Sequence, residues 1–200
     1  MTRIHIVRHG ETQWNVEGRM QGHLDSPLTE LGRSQARQVR DKIEQIDVVY
    51  SSPSVRAVET AEIILNGTQQ PINIIPDLKE INLGIWEGMH KTSVEAEHPL
   101  EHKAFWSQPS KFSLNQAETF QDVQNRGVKA LLDIVCRNRG KSILLVSHTV
   151  TIKVILAYFE NRPIDRVWDP PFIKNGSYSV IEETNDDQLK VVLYSGQSIW

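Results

Sequence analysis

The 200-residue chain reads as an α/β fold built on a mostly parallel sheet. Three observations predict it. Strand and helix signals alternate along the chain. Residues 142–147, "SILLVS", lack the polar alternation of a half-exposed strand, as expected of a central strand covered on both faces. No repeat, low-complexity segment or linker divides the sequence, so one domain over 1–200 is expected, with an irregular excursion at about 77–116.

Residues 3–7 read as the first strand, followed by a polar loop to about Pro27. Leu28, Leu31, Ala36, Val39, Ile43 and Ile46 then recur at three- to five-residue steps, which predicts an amphipathic helix with Thr29 as its N-cap. "DVVYS" (47–51) is a short buried strand stopped at Pro53. A helix to about Leu65 turns Val55, Val58, Ala61, Ile64 and Leu65 inward, and "INIIP" (72–76) is another strand. The excursion holds Gly84, Gly88, Pro99 and Pro109, and one short helix near 90–98 is expected in it. A long helix spans about 119–138, with Thr119 and Asp122 spaced as a capping box. A helix at 149–160 follows the apolar strand, and 177–182 with 188–194 form a terminal hairpin.

A formal net charge of −3 argues against nucleic-acid or membrane-surface partners, which select a basic face. No stretch approaches the ~20 apolar residues of a membrane span. The single Cys136 excludes an internal disulfide; with no signal-like N-terminus, a cytoplasmic setting is expected. Cys136 falls in the apolar pattern of the long helix, so it is expected to be a buried structural thiol.

Three strands end in polar residues: Arg8-His9-Gly10, Ser51-Ser52-Pro53 with Arg56 one turn further, and Ser147-His148. Ligands of open α/β sheets sit at the carboxyl ends of strands. If these strands are neighbours, Arg8, His9, Arg56 and His148 converge on one crevice, a composition suited to a phosphate dianion. Two unit charges 4 Å apart interact by about 4 kcal/mol at an effective dielectric of ~20, and the guanidinium fork matches phosphate oxygens. A neutral imidazole can attack phosphorus, while a protonated second one donates to the phosphoryl oxygens. The leaving oxygen needs a proton; Glu80 is the best-placed acid, with Glu87 close behind, and spacing alone does not separate them. His5 and His9 lie about 13 Å apart along a strand, too far to share a metal. His90, His98 and His102 read as solvated surface residues, Trp14 and Trp86 as core. Phe105, Trp106 and Phe112 are candidates for a lid over the substrate.

"VRHGETQWN", "GHLDSPLTELGRSQA", "VVYSSPSVRAVETA", "LKEINLGIWEG" and "ILLVSH" together resemble the histidine phosphatase superfamily, which includes the cofactor-dependent phosphoglycerate mutases. The resemblance covers most of the chain. It implies a three-layer α/β/α sandwich, His9 as phosphoryl acceptor, and Arg8, Arg56 and His148 as the phosphate pocket. It also implies Glu80 rather than Glu87 as proton donor, and no metal or other cofactor. From the loop, it has Asn15 and Gln21 contacting phosphate or substrate; both could instead merely shape that loop. Two departures bear on substrate fit. Thr149 stands where members have Gly, its backbone N–H still able to face an anion while its side chain narrows the pocket. Ala117-Glu118-Thr119 stands in place of Gly-Glu-Ser, and Glu118 could equally serve the helix N-terminus. The compact chain resembles the phosphatase branch, so hydrolysis of small-molecule phosphate monoesters is expected. The alternatives are a phosphoglycerate mutase and a non-catalytic phospholigand-binding module.

Overall fold

The computed structural model describes residues 1–43 and 45–198. Its seven-stranded sheet, counted among the described residues, has the order β3-β2-β4-β1-β5-β6-β7. The strands are β1 (Arg3–Arg8), β2 (Val48–Ser51), β3 (Ile72–Ile74), β4 (Ser142–Ser147), β5 (Tyr178–Glu183), β6 (Leu189–Tyr194) and β7 (Gln197–Ser198). The first four run parallel; β5, β6 and β7 add an antiparallel flank.

Alternate residues of the central strands serve opposite faces, as the pleat requires. Ile4, Ile6, Ile143 and Leu145 pack on one side, against Leu131 and Ile134 of α6 (Phe120–Arg137) and Ile152 and Ile155 of α7 (Thr149–Phe159). Val7, Val49, Leu144 and Val146 pack on the other, against α2 (Glu30–Arg40) and α3 (Val55–Leu65). This is the α/β/α sandwich. A third cluster, around Trp86, Phe105 and Phe112, caps the N-terminal halves of α6 and α7 through Phe120, Val123, Val150 and Val154.

Several local expectations need correction. The helix expected over 28–46 ends at Arg40; Lys42 and Ile43 turn back onto Val39 and Arg40 so that the chain can enter β2. Ile43 and Ile46 still reach the same core, but from a loop. The inward face of α3 is rotated: Val55 is exposed, while Arg56, Ala57 and Thr60 are buried. The excursion holds two α-helices rather than one, α4 (Lys91–Glu97) and α5 (Pro99–Ser107), because Pro99 ends the first and opens the second. A short α1 (Gln13–Glu17) forms in the polar loop, closed by a capping box from Thr12 and Asn15. Cys136 is exposed, not buried, because it falls off the inward stripe that Ile134 and Val135 occupy. Phe112 is core, and Trp14 is half-buried. His98 and His102 are also half-buried, the latter accepting from Trp106 Nε1–H at 3.0 Å.

Candidate active site

The parallel register aligns Arg8 with Ser147 and Ser51 with Val146, so β1, β4 and β2 end side by side. The main chain leaving β1 is held tightly there. His9 N–H donates to the Ser147 carbonyl (3.1 Å), and Gly10 N–H donates to Thr60 Oγ1 (3.1 Å). Gly10 also meets Gly32 backbone to backbone: a Cβ on Gly10 would stand 2.3 Å from the Gly32 carbonyl oxygen. That close approach, which a side chain forbids, explains the glycine after the histidine.

His9 Nδ1 lies 2.7 Å from the Gly10 carbonyl oxygen. A carbonyl only accepts, so Nδ1 carries the hydrogen and Nε2 of the neutral ring keeps its lone pair. Burial, then Arg56 and Arg8, hold His9 well below the ordinary imidazole pKa, against a smaller opposing effect of the Gly10 bond. The site therefore presents a neutral, oriented imidazole.

His148 is the N-cap of α7, its ring 5.2 Å from that of His9. Its Nε2 is 2.7 Å from Ser52 Oγ. If the serine hydroxyl donates, the proton of the neutral ring sits on Nδ1. Burial first, then Arg56 and His9, push this imidazole well below its usual pKa. A neutral ring with its hydrogen on Nδ1 would offer a donor there, as a protonated ring would.

Arg56 is buried at 1 % exposure. Its Nη1 pairs with Asp25 Oδ1 (2.8 Å) and donates to the Leu24 carbonyl, and its Nη2 donates to the Gly22 carbonyl. Arg8 donates from Nη1 to the Ile173 carbonyl (2.9 Å). Burial, with Arg56 adding and Glu80 opposing, brings the Arg8 pKa down to about 10. Among the described residues, three buried nitrogens here lack any hydrogen-bond partner: Arg8 Nε, Arg56 Nε and His148 Nδ1. Buried donors without acceptors are costly; the two guanidinium Nε–H groups are such donors, and a bound oxyanion would satisfy them.

Glu80 sits across from this cluster, where the N-terminus of α7 receives it. The amides of Val150 (3.2 Å to either oxygen) and Thr151 (3.3 Å) donate to its carboxylate, as does its neighbour Ile81 (3.0 Å). Glu87 is occupied elsewhere, accepting from the amides of His23, Leu24 and Leu83. Geometry thus separates two carboxylates that spacing could not: Glu80 lines the cavity and Glu87 does not.

That cavity, of about 310 Å³, is also bordered by Arg8, His9, Asn15, Gln21, Arg56 and Thr149. Asn15 has its Oδ1 engaged by Thr12 N–H and Asn175 Nδ2, which leaves its own amide donor uncommitted. Gln21 reaches the wall, but its side chain is tied to Thr12 Oγ1 (2.8 Å) and Ser26 Oγ, as a loop-shaping residue's would be. Glu118 stays outside. It grips Arg126 through both oxygens and accepts from Asn82 N–H, while Arg126 also donates to the Lys79 and Glu80 carbonyls. Asp25, Asn175, Arg126 and Lys153 were not singled out in the sequence. Each works through a partner distant in the chain, and no local pattern marks them. Among the described residues no group of three or more His, Cys, Asp or Glu is placed to hold a metal ion, and no helix is long and apolar enough to cross a membrane.

The fold and this cluster define a phosphomonoesterase with histidine chemistry. The chain belongs to the histidine phosphatase superfamily, branch 1, whose sequence model matches residues 4–195. Phosphoserine phosphatase 1 of Hydrogenobacter thermophilus is 31% identical over 195 residues, covering 96% of this chain and 92% of that protein. The structure of Bacillus stearothermophilus YhfR superposes with a TM-score of 0.94 at 39% identity, covering 98% of both chains. A mutant phosphoserine phosphatase from Entamoeba histolytica, solved with phosphoserine, superposes at 0.85 with 28% identity, covering 98% of this chain and 97% of that one.

Proposed function

We propose that this enzyme hydrolyses small phosphate monoesters through a phosphohistidine on His9. The observation that carries the reading is the pair of unpartnered guanidinium donors, Arg8 Nε and Arg56 Nε, with His148 Nδ1 also unpartnered, around a neutral imidazole. They bind the phosphoryl oxygens. His9 Nε2 forms a bond to phosphorus as the ester P–O bond breaks, and Glu80 gives its proton to the departing oxygen. Water then loses a proton to Glu80 and attacks phosphorus; the N–P bond breaks and inorganic phosphate leaves. Asn15 adds an amide donor beside the phosphoryl group, and Thr149 narrows the entrance.

The rest of the cavity describes the leaving group. Met20, Ile81, Leu83, Phe105, Trp106 and Trp168 form its wall, with Arg19 and Lys91 among its bordering cations. Of the expected lid aromatics, Phe105 and Trp106 reach the cavity. Such a wall favours alcohols with apolar or flat bodies, since each buried CH₂ contributes about 0.8 kcal/mol, roughly fourfold in binding. The binding of phosphoserine by the E. histolytica relative supports small polar esters as trial substrates beside aromatic ones.

The test is an alkaline denaturing quench of the enzyme turning over ³²P-labelled ester. Acid-labile, alkali-stable label on the wild type, and none on His9→Ala, is expected. Full turnover by His9→Ala would end the proposal. Incubation with 3-phosphoglycerate separates hydrolysis from transfer: free phosphate is expected, whereas the isomer without phosphate would favour a mutase, and tight phosphate binding without turnover a binding module.

A further inference from the structure

Lys153 is buried at 1 % exposure in the middle of α7, one turn beyond the amides that hold Glu80. Its ammonium pairs with no carboxylate at salt-bridge distance among the described residues. Instead Nζ donates to two backbone carbonyls, Asp169 (2.6 Å) and Pro171 (3.0 Å). It lies 5.3 Å from the ring centre of Tyr194 and 6.0 Å from that of Phe172. Burying a lysine for this purpose is expensive, and a surface loop can be packed by cheaper means.

The segment it grips leads directly to the phosphate pocket. Two residues after Pro171, the Ile173 carbonyl accepts from Arg8 Nη1. Asn175 follows, donating to Asn15 Oδ1 (3.0 Å) and towards the Gly10 carbonyl (3.3 Å). Ser195 Oγ–H secures the Phe172 carbonyl from the antiparallel flank (2.7 Å). One stretch of chain therefore orients a guanidinium and an amide of the site, and Lys153 fastens its upstream end to the helix that carries His148.

We propose that Lys153 is a positioning residue for phosphate: by clamping the Asp169 and Pro171 carbonyls to α7 it sets, through Ile173, the direction of Arg8. The inference rests on the phosphate reading of the site. It predicts that the clamp weakens when the ammonium loses its charge, because a neutral amine donates less strongly to a carbonyl. The groups facing Lys153 are Arg162, Glu160, Asp169 and Tyr194. Burial first, then Arg162, lower its pKa from 10.5 to about 8, with Glu160 and Asp169 opposing. Arg162 also donates to the Asp169 and Pro170 carbonyls and stacks on Tyr194, so its charge is committed to the same junction.

The sign separates this role from a structural one. Between about pH 8 and 10.5 the unfolded chain holds a proton on Lys153 that the folded chain has released, so this group makes folding more favourable as pH rises. Phosphate affinity is expected to move the other way.

The experiment measures inhibition of p-nitrophenyl phosphate hydrolysis by inorganic phosphate, with KM and kcat, from about pH 7 to about 9.5. Wild type, Lys153→Arg and Lys153→Met are compared, with urea stability alongside. In wild type the inhibition constant should rise several-fold across about pH 8 without loss of stability. In Lys153→Arg, which stays charged, that rise should vanish. Lys153→Met should raise KM and the inhibition constant about tenfold at pH 7, with kcat falling less. A folded Lys153→Met with unchanged constants overturns the proposal. So does a Lys153→Arg profile that matches wild type, which decides the matter even if the methionine variant does not fold. Failure of the phosphate reading itself would show independently, as full activity of His9→Ala.

Discussion

The Nδ1–H of His9 donates to the carbonyl of its own neighbour Gly10 over 2.7 Å, and this bond decides which ring nitrogen can react. The proposed nucleophile is prepared without a dedicated carboxylate partner among the described residues. The backbone sets the tautomer, and burial, then Arg56 and Arg8, keep the ring neutral. His9→Ala is expected to lower kcat towards p-nitrophenyl phosphate by about 10³-fold or more, with stability little changed. A fall of less than tenfold would move the nucleophile elsewhere.

Glu80 and Glu87 offer a sharper comparison. Glu80→Gln should slow hydrolysis of alkyl phosphates by about 10²- to 10⁴-fold, the range of general acid catalysis. It should slow p-nitrophenyl phosphate far less, since p-nitrophenolate departs without a proton. Glu87→Gln should show no dependence on the leaving group. Equal losses on both ester types for Glu80→Gln would assign it to binding rather than to proton transfer.

Arg56 is buried and Asp25 is its one carboxylate partner among the described residues. Asp25→Asn keeps the shape and removes the charge. Three backbone and side-chain acceptors currently hold the guanidinium, and Asp25 is partly exposed, so the expected loss is about 1–3 kcal/mol in urea unfolding rather than more. With the pocket one charge more positive, inorganic phosphate should inhibit at lower concentration. An unchanged urea midpoint would contradict the account.

At Gly10 the constraint is space. Gly10→Ala drives a Cβ into the Gly32 carbonyl, and backbone cannot yield as a flexible side chain does. A loss of about 2–4 kcal/mol is expected, together with displaced His9 and reduced kcat. Gly18→Ala is the control. Its φ of 70° is left-handed, yet a Cβ there meets nothing within 4 Å, so only the conformational cost of about 1 kcal/mol should appear.

His5 makes a prediction away from the site. It is buried, bonded to Tyr178 Oη and Ser142 Oγ, and burial followed by Arg3 brings its pKa from 6.5 to about 4. The unfolded chain therefore binds a proton that the folded one refuses. The resulting stability is present above about pH 6.5 and is lost as pH falls towards about 4. His9 and His148 act in the same direction. Urea unfolding free energy should fall by up to about 1.4 kcal/mol per pH unit for each such histidine, and His5→Gln should flatten the slope by one proton's worth. A flat profile in the wild type would refute this.

Much of the fold was legible because its signals are local. The run at 142–147 announced a central strand, and Thr119 with Asp122 marked the start of α6 where its capping box stands. Polar residues at three strand ends anticipated the crevice because parallel strands deliver their carboxyl ends to one edge. Errors arose where apolar spacing continued past an element. Ile43 and Ile46 kept a helical rhythm while reaching the core from a loop. Cys136 kept apolar company without sharing its face.

The sequence by itself determined the α/β class, the strand-end cluster of Arg8, His9, Arg56 and His148, and membership of a family. Tertiary structure put Glu80 rather than Glu87 at the cavity, in keeping with what the family resemblance implies, and it alone decided which tautomer His9 adopts and which groups steady the arginines. Strand ends and capping boxes depend on residues a few places apart, and the chain states these directly. The bonds from Asp25 to Arg56, Glu80 to α7, and Lys153 to the stretch before Ile173 join elements whose relative placement follows from packing the whole sheet, which no short stretch of sequence contains.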